Sequence, residues 1–195
     1  MKRVGPVAVL ITLWLTSLGG MAVVPGLCAD QPPAVGGMMP EVVLPIPQQA
    51  DERTYLGLKA GSTFKIPQIT ADVVIVEIFS MYCPYCQREA SRVNELFGLI
   101  AKRPELKNRV KIIGIGAGNT DLEVKVFKDK YQVPFPLFPD KDFKIHKLVG
   151  EVRTPYFIGV ETRPDGWHRV LYSRVGAIDD LQLFLDYLLK EVSGQ

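Results

Sequence analysis

Apolar and polar positions divide this chain into stretches of period two, stretches of period three to four, and one apolar run at its start. Val73 to Phe79 is apolar and mostly β-branched apart from Glu77, which predicts a strand buried on both faces. Val110–Gly116 repeats the pattern and predicts a second buried strand, and Pro155–Val160 a third. Between the first two, Ala90, Val93, Phe97 and Ile100 recur at steps of three and four, so a helix is expected from Pro84 to about Lys102, with Pro104 marking its exit. Thr120-Asp121-Leu122-Glu123 is a capping box, and a helix should follow it to about Gln132. Pro134, Pro136 and Pro139 should break the chain around Phe135 and Phe138, two aromatics read as core. A short helix is expected at Phe143–Val149. Pro164-Asp165-Gly166 reads as a hairpin turn into a returning strand, Arg169–Ser173. Ile178–Val192 closes the chain as a helix with a stripe of Leu181, Phe184, Leu185, Leu188, Leu189 and Val192. The order β-α-β-α-(short)-β-β-α starts with a parallel β-α-β unit and ends in a hairpin and a helix.

The first apolar run is of another kind. Val7 to Val24 follows Lys2 and Arg3 and is almost wholly apolar, the charge-then-apolar pattern of a secretory signal. Leu27-Cys28-Ala29 before Asp30 suits cleavage, which makes residues 1–29 a signal peptide. The same run is nearly long enough to serve as an uncleaved membrane anchor. Lipidation at Cys28 fits less well, because Leu27 is large. Either main outcome puts the folded part outside the cytoplasm, in a periplasmic or equivalent compartment, anchored there if the segment is retained. Asp30 to Gln49 holds five prolines and Gly36-Gly37. It reads as a flexible leader, residues 30–50, with a short strand at Glu41–Leu44 at most. A single domain, residues 51–195, is expected to follow, with Phe64–Ile66 as an edge strand.

Cysteine usage narrows the chemistry. Loss of residues 1–29 removes Cys28 and leaves Cys83 and Cys86 as the only thiols. Exported scaffolds held by disulfides use several bridges across long loops. A bridge from Cys83 to Cys86 closes a very small ring, which suits redox work better than stapling. The cysteines also fall where the first buried strand turns into a helix. Unpaired N–H groups and the macrodipole at that helix start favour a thiolate on Cys83, and a lowered thiol pKa is what disulfide exchange requires. Loss of Lys2 and Arg3, with no acid, brings the 23 basic and 21 acidic residues to parity, 21 against 21, which gives no reason to expect a nucleic-acid partner. A zinc site would need two ligands besides the cysteines, and His146 and His168 are not spaced as a pair. Covalent haem would need His where Gln87 stands.

A buried strand, C-x-x-C at a helix start, and a β-β-α end together resemble the thioredoxin fold. Glu77, six residues before Cys83, occupies the position where thioredoxin-like proteins carry a buried acid. Arg153-Thr154-Pro155 precedes the late strand, where the family places a cis-proline opposite the cysteines. The segment Glu77 to Cys86, with its C-P-x-C, is similar to the active-site segment of DsbA. Pro155 lies 69 residues after Cys86, a gap longer than in simple thioredoxins and too short for DsbA's helical domain. That gap resembles the TlpA-like, redoxin branch, which inserts an extra β-α unit. The implied architecture is an α/β thioredoxin-like fold, a central mixed sheet flanked by helices with that inserted unit. One departure stands out. Thioredoxin pairs its buried acid with a lysine on the neighbouring strand, but here that strand offers only Lys111 at its edge.

The resemblance implies an exported thiol–disulfide oxidoreductase that needs no organic cofactor. Cys83 would be the nucleophile and Cys86 the resolving thiol. Glu77 would handle the proton that Cys86 must lose, unless it is an ordinary strand-end acid reaching solvent. Tyr82, Pro84, Tyr85, Thr154 and Pro155 would bind the client, the tyrosines as an apolar platform and the Thr154 backbone as a pairing edge. Partners would be client proteins with thiols or disulfides and a membrane redox partner supplying a dithiol. The TlpA-like layout leans towards a reductase and the DsbA-like segment towards an oxidase. A dithiol metal-binding module or metallochaperone is the alternative that is not an enzyme.

Overall fold

The computed structural model describes Met1, residues 31–163 and residues 165–193. The expected signal segment, Cys28 and the Pro164 corner of the hairpin lie outside the described residues. Seven strands and six helices follow one another in the described chain: β1 (Val43–Pro45), α1 (Ala50–Leu56), β2 (Thr63–Lys65), β3 (Val73–Phe79), α2 (Pro84–Ala101), α3 (Pro104–Lys107), β4 (Val110–Ala117), α4 (Asp121–Tyr131), β5 (Leu137–Asp140), α5 (Lys144–Leu148), β6 (Tyr156–Thr162), β7 (His168–Val175) and α6 (Leu181–Ser193).

The main sheet has the order β5-β4-β3-β6-β7. β3 runs parallel to β4, and β4 to β5, while β6 is antiparallel to both β3 and β7. Every residue of β3, β4 and β6 is buried, as continuous apolar runs demand, so both faces of the sheet need a cover. Strand alternation sends Val73, Ile75 and Phe79 to one face, against Cys86, Ala90, Val93 and Leu96 of α2 and Leu181, Phe184, Leu185 and Leu188 of α6. Val74, Val76 and Ile78 go to the other face.

That second face corrects the expectation of a flexible leader and of folded structure starting near Asp51. Met39, Val42, Leu44 and Ile46 are buried against Val74, Val76, Ile113 and Ile115, and β1 pairs antiparallel with β2. Earlier still, the Gly36 N–H donates to the Val170 carbonyl at 2.8 Å, and the Val170 N–H donates to Gly37 at 2.8 Å. The prolines of this stretch therefore punctuate an extended covering strap. An apolar sheet face with no long helix to cover it is the physical reason for the strap. α1 follows directly and was not legible, because its only fully buried side chain is Leu56.

The gap between Cys86 and Pro155 holds β4, α4, β5 and α5, with the rest of α2 and α3. α4 begins with the expected capping box, Glu123 N–H to Thr120 Oγ1 and Thr120 N–H back to Glu123 Oε2 at 2.7 Å. β5 was hidden by its prolines. Pro139 is tolerated because β5 is an edge strand, paired on one side only, with β4. Phe135 and Phe138 are core, as expected.

Candidate active site

β3 ends at Phe79, and the chain turns through Ser80–Tyr82 into α2. Cys83 is the N-cap of that helix, in extended conformation, with Pro84 in the first helical position, where a missing N–H costs nothing. The redox loop is held at several points. The Cys83 N–H donates to the Ser80 carbonyl at 3.0 Å. The Met81 peptide is gripped from both ends: its N–H donates to Asn119 Oδ1 at 2.8 Å, and its carbonyl accepts from Gln87 Nε2 at 2.8 Å. The Tyr82 hydroxyl donates to Glu123 of the α4 capping box.

Cys83 and Cys86 are both free thiols, the first partly exposed and the second fully buried. Cys83 Sγ lies 3.2 Å from the Thr154 carbonyl oxygen. Partial burial works against its thiolate, but hydrogen bonding from the Thr154 side chain, from the Cys86 N–H and thiol and from the Tyr85 N–H outweighs that and lowers the pKa. Cys86 moves the other way. Burial pushes its thiol far up, and the nearby Glu77 carboxylate adds to the rise. One cysteine is thus partly exposed with a lowered pKa, its partner hidden with a raised one.

Glu77 is 3 % exposed, and its Oε1 has no hydrogen-bond partner among the described residues. Burial pushes its carboxyl up to about 8, helped by the negative charge of Glu89. Glu89 was not singled out from the sequence. It lies one turn beyond Cys86 on α2, is 5 % exposed, and accepts the Ile178 N–H at 3.0 Å. Its signal was available: an acid three residues after Cys86 and four before Val93 shares the buried stripe. Asn119 was missed as well, since nothing in the sequence pairs it with Met81.

The Thr154–Pro155 peptide is cis, and Pro155 is buried beside the cysteines' loop, its carbonyl accepting the Gly176 N–H at 2.9 Å. Tyr82 and Tyr85 are exposed on either side of Cys83, and the Arg88 guanidinium sits 4.5 Å above the Tyr85 ring. A cavity of about 400 Å³ opens alongside, lined in part by Tyr85, Arg88, Glu89, Arg153, Thr154 and Pro155. The structure therefore brings Tyr85, Thr154 and Pro155 together around this cavity. Tyr82 leans instead towards α4, and Pro84 serves the helix start. His146 and His168 are engaged elsewhere, with backbone carbonyls at Val152 for the first and at Gly166 and Met39 for the second. Among the described residues no group of three or more His, Cys, Asp or Glu side chains is arranged to hold a metal ion.

Fold and site define a thioredoxin-like domain with a two-cysteine centre at a helix start. The AhpC/TSA family model matches residues 35–165, and the chain belongs to that family. Its segment of 91 residues is 29 % identical to the thiol-disulfide oxidoreductase ResA of Halalkalibacterium halodurans, covering 46 % of this chain and 48 % of that protein. A ResA from Oceanobacillus iheyensis is 25 % identical over 128 residues, 64 % of this chain and 62 % of that one. The chain spans about half the length of the first of these relatives. The thioredoxin domain of a thiol-disulfide oxidoreductase from Bacteroides vulgatus superposes with a TM-score of 0.58 at 15 % identity, over 78 % of this chain and 96 % of that domain. StoA from Bacillus subtilis superposes at 0.51 and 14 % identity, over 65 % of this chain and 89 % of that one. These structural likenesses establish the fold.

Proposed function

We propose that this protein is an exported thiol–disulfide oxidoreductase acting on client proteins through Cys83 and Cys86. The observation that carries the reading is the contrast between the two thiols, one partly exposed with a lowered pKa and one buried with a raised pKa. In the reductive direction, the Cys83 thiolate attacks a client disulfide. A Cys83–client bond forms, and the client's other sulfur leaves as a thiolate. Cys86 then gives up its proton and attacks Cys83, releasing the second client thiolate and closing the Cys83–Cys86 disulfide. Two electrons have passed to the client.

Burial disfavours ionisation of Cys86. Glu77, with a carboxyl pushed up to about 8, is suited to take that proton near neutral pH and return it in the reverse reaction. The cis Thr154–Pro155 backbone supports an extended client beside Cys83. Export rests on the charge-then-apolar run of residues 1–24. Among the described residues no helix is long and apolar enough to cross a membrane. A membrane-bound dithiol is the proposed source of electrons.

The preferred direction is reduction, which the TlpA-like spacing between Cys86 and Pro155 supports. The lowered Cys83 pKa favours the opposite reading, an oxidase of the DsbA kind, because a stabilised thiolate makes the disulfide more oxidising. The reduction potential of the pair, measured by equilibration with glutathione or dithiothreitol, tests the choice. Potentials of comparable centres run from about −270 mV in thioredoxin to about −120 mV in DsbA. A value in the lower half of that span supports the reductase. One near the DsbA end overturns it in favour of the oxidase.

A further inference from the structure

The cavity beside the cysteines carries more positive charge than a neutral client platform needs. Arg153 immediately precedes Thr154, is exposed, and has no ion pair or hydrogen bond among the described residues. Arg88 is exposed too. Its guanidinium rests on the Tyr85 ring at 4.5 Å and has no carboxylate partner among the described residues. Both arginines line the same cavity of about 400 Å³ as Thr154 and Pro155. Thr154 is the residue whose carbonyl oxygen lies 3.2 Å from Cys83 Sγ. The one acid lining the cavity is Glu89. It is almost fully buried, its Oε1 accepts the Ile178 N–H at 3.0 Å, and it forms no ion pair with either arginine among the described residues. Arg109 pairs with Asp72, and Arg163 and Arg169 both pair with Glu161, whereas neither Arg88 nor Arg153 pairs with a carboxylate among the described residues. At the redox site two guanidiniums stand unmatched.

We infer that Arg88 and Arg153 select clients carrying an acidic side chain next to the reacting cysteine. The inference rests on the oxidoreductase reading of Cys83 and Cys86 and names the client chemistry that site prefers. A carboxylate held between two forked guanidiniums gains charge-assisted, bidentate hydrogen bonds. Arg88 is already oriented by its stacking on Tyr85, so less side-chain freedom is lost when a carboxylate arrives. The same pair steers acidic segments towards Cys83 before contact, an effect that salt removes.

The test uses the full chain, reduced beforehand, and three synthetic peptides. Each holds one cysteine as a mixed disulfide with mercaptoethanol, flanked on both sides by Asp, Gln or Lys. Cys83 attacks the peptide sulfur and mercaptoethanol leaves. Cys86 then releases the peptide thiol, and the protein ends as the Cys83–Cys86 disulfide. Each rate is divided by the same peptide's rate with dithiothreitol, which removes the peptide's own reactivity. At about 10 mM salt the normalised rate for the Asp peptide should exceed that for the Lys peptide by roughly tenfold. The ratio should collapse at about 1 M salt, where the screening length falls to about 3 Å. Arg88→Glu combined with Arg153→Glu should reverse the order. Equal normalised rates for the three peptides with the unaltered protein overturn the charge selection and leave the oxidoreductase standing. Failure to reduce even the Gln peptide takes down both.

Discussion

Glu77 lies directly opposite Gly114 in the β3–β4 ladder, so the residue across from it on the neighbouring strand offers its carboxyl no side chain. On the other side it faces Phe157 of β6. Lys111, the one lysine of β4, is three residues away and on the opposite face by strand alternation. It donates to the Lys107 carbonyl at 2.7 Å and stacks over Tyr55. A Cβ at Gly114 would meet the Leu137 Cδ2 methyl at 2.4 Å, so a side chain there would make Leu137 shift. The acid under the cysteines is therefore isolated by packing, and two consequences follow from its isolation.

The first is a dependence of stability on pH. The Glu77 carboxyl is raised from 4.5 to about 8 in the folded protein. Its contribution to stability is complete below the unfolded value and is lost as pH rises through the folded one. Denaturant melts of the reduced protein should show stability falling across this window, at up to about 1.4 kcal/mol per pH unit from this group. Glu77→Gln should flatten that slope and be the more stable protein at pH 9. Parallel curves for the two proteins would mean that Glu77 is not a buried, proton-holding carboxyl.

The second consequence is kinetic. If Glu77 takes the Cys86 proton, Glu77→Gln should slow the resolving step by roughly 10²-fold near neutral pH, a typical loss for a general base. The attack by Cys83 should change little. Stopped-flow decay of a preformed Cys83–client mixed disulfide measures resolution alone. Unchanged decay in the Gln variant would remove Glu77 from the proton path.

The two thiols themselves are open to a direct reading. Cys83 is partly exposed, with its pKa lowered by the hydrogen bonds around its sulfur, and Cys86 is buried, with its pKa raised. Iodoacetamide at mildly acid pH should therefore modify Cys83 well before Cys86, as peptide mapping of the reduced protein would show. Cys86→Ala should leave Cys83 reactive and accumulate stable mixed disulfides with clients. Equal labelling of the two cysteines would reverse the assignment of nucleophile and resolver.

The strands and helices that carry this site were legible because their patterns are strong and local. β3, β4 and α2 show unbroken apolar runs or a clean period, and the cysteine motif lies at their junction. Thr154–Pro155 came from family resemblance, since no spacing rule links it to residues some 70 positions earlier. What escaped the sequence was held by tertiary contact. Asn119 matters through one bond to Met81, Glu89 through its burial, and Arg153 through the cavity it shares with Arg88. β5 escaped because prolines argue against strands, and only its edge position removes the objection. The largest misreading was of residues 31–49, where proline content outweighed a sparse apolar pattern, Met39, Val42, Leu44 and Ile46, that proves to be core.

That pattern yields the last prediction. Leu44 is fully buried, in a cluster that includes Val76, Ile113 and Phe64. If this stretch were a leader, its truncation would be neutral. As part of the core, Leu44→Ala should cost about 2–5 kcal/mol, the usual range for a buried leucine with a partly collapsed cavity. The exposed neighbour Val43 supplies the control, since Val43→Ala on the same strand should change stability by under about 0.5 kcal/mol. Urea melts of the two variants separate the readings. The redox site sits on β3, whose other face this strap covers, so Leu44→Ala should also speed protease cleavage at pH 7 without changing the relative alkylation of Cys83 and Cys86. Equal stability of the Leu44→Ala and Val43→Ala proteins would return residues 31–49 to the status of a linker.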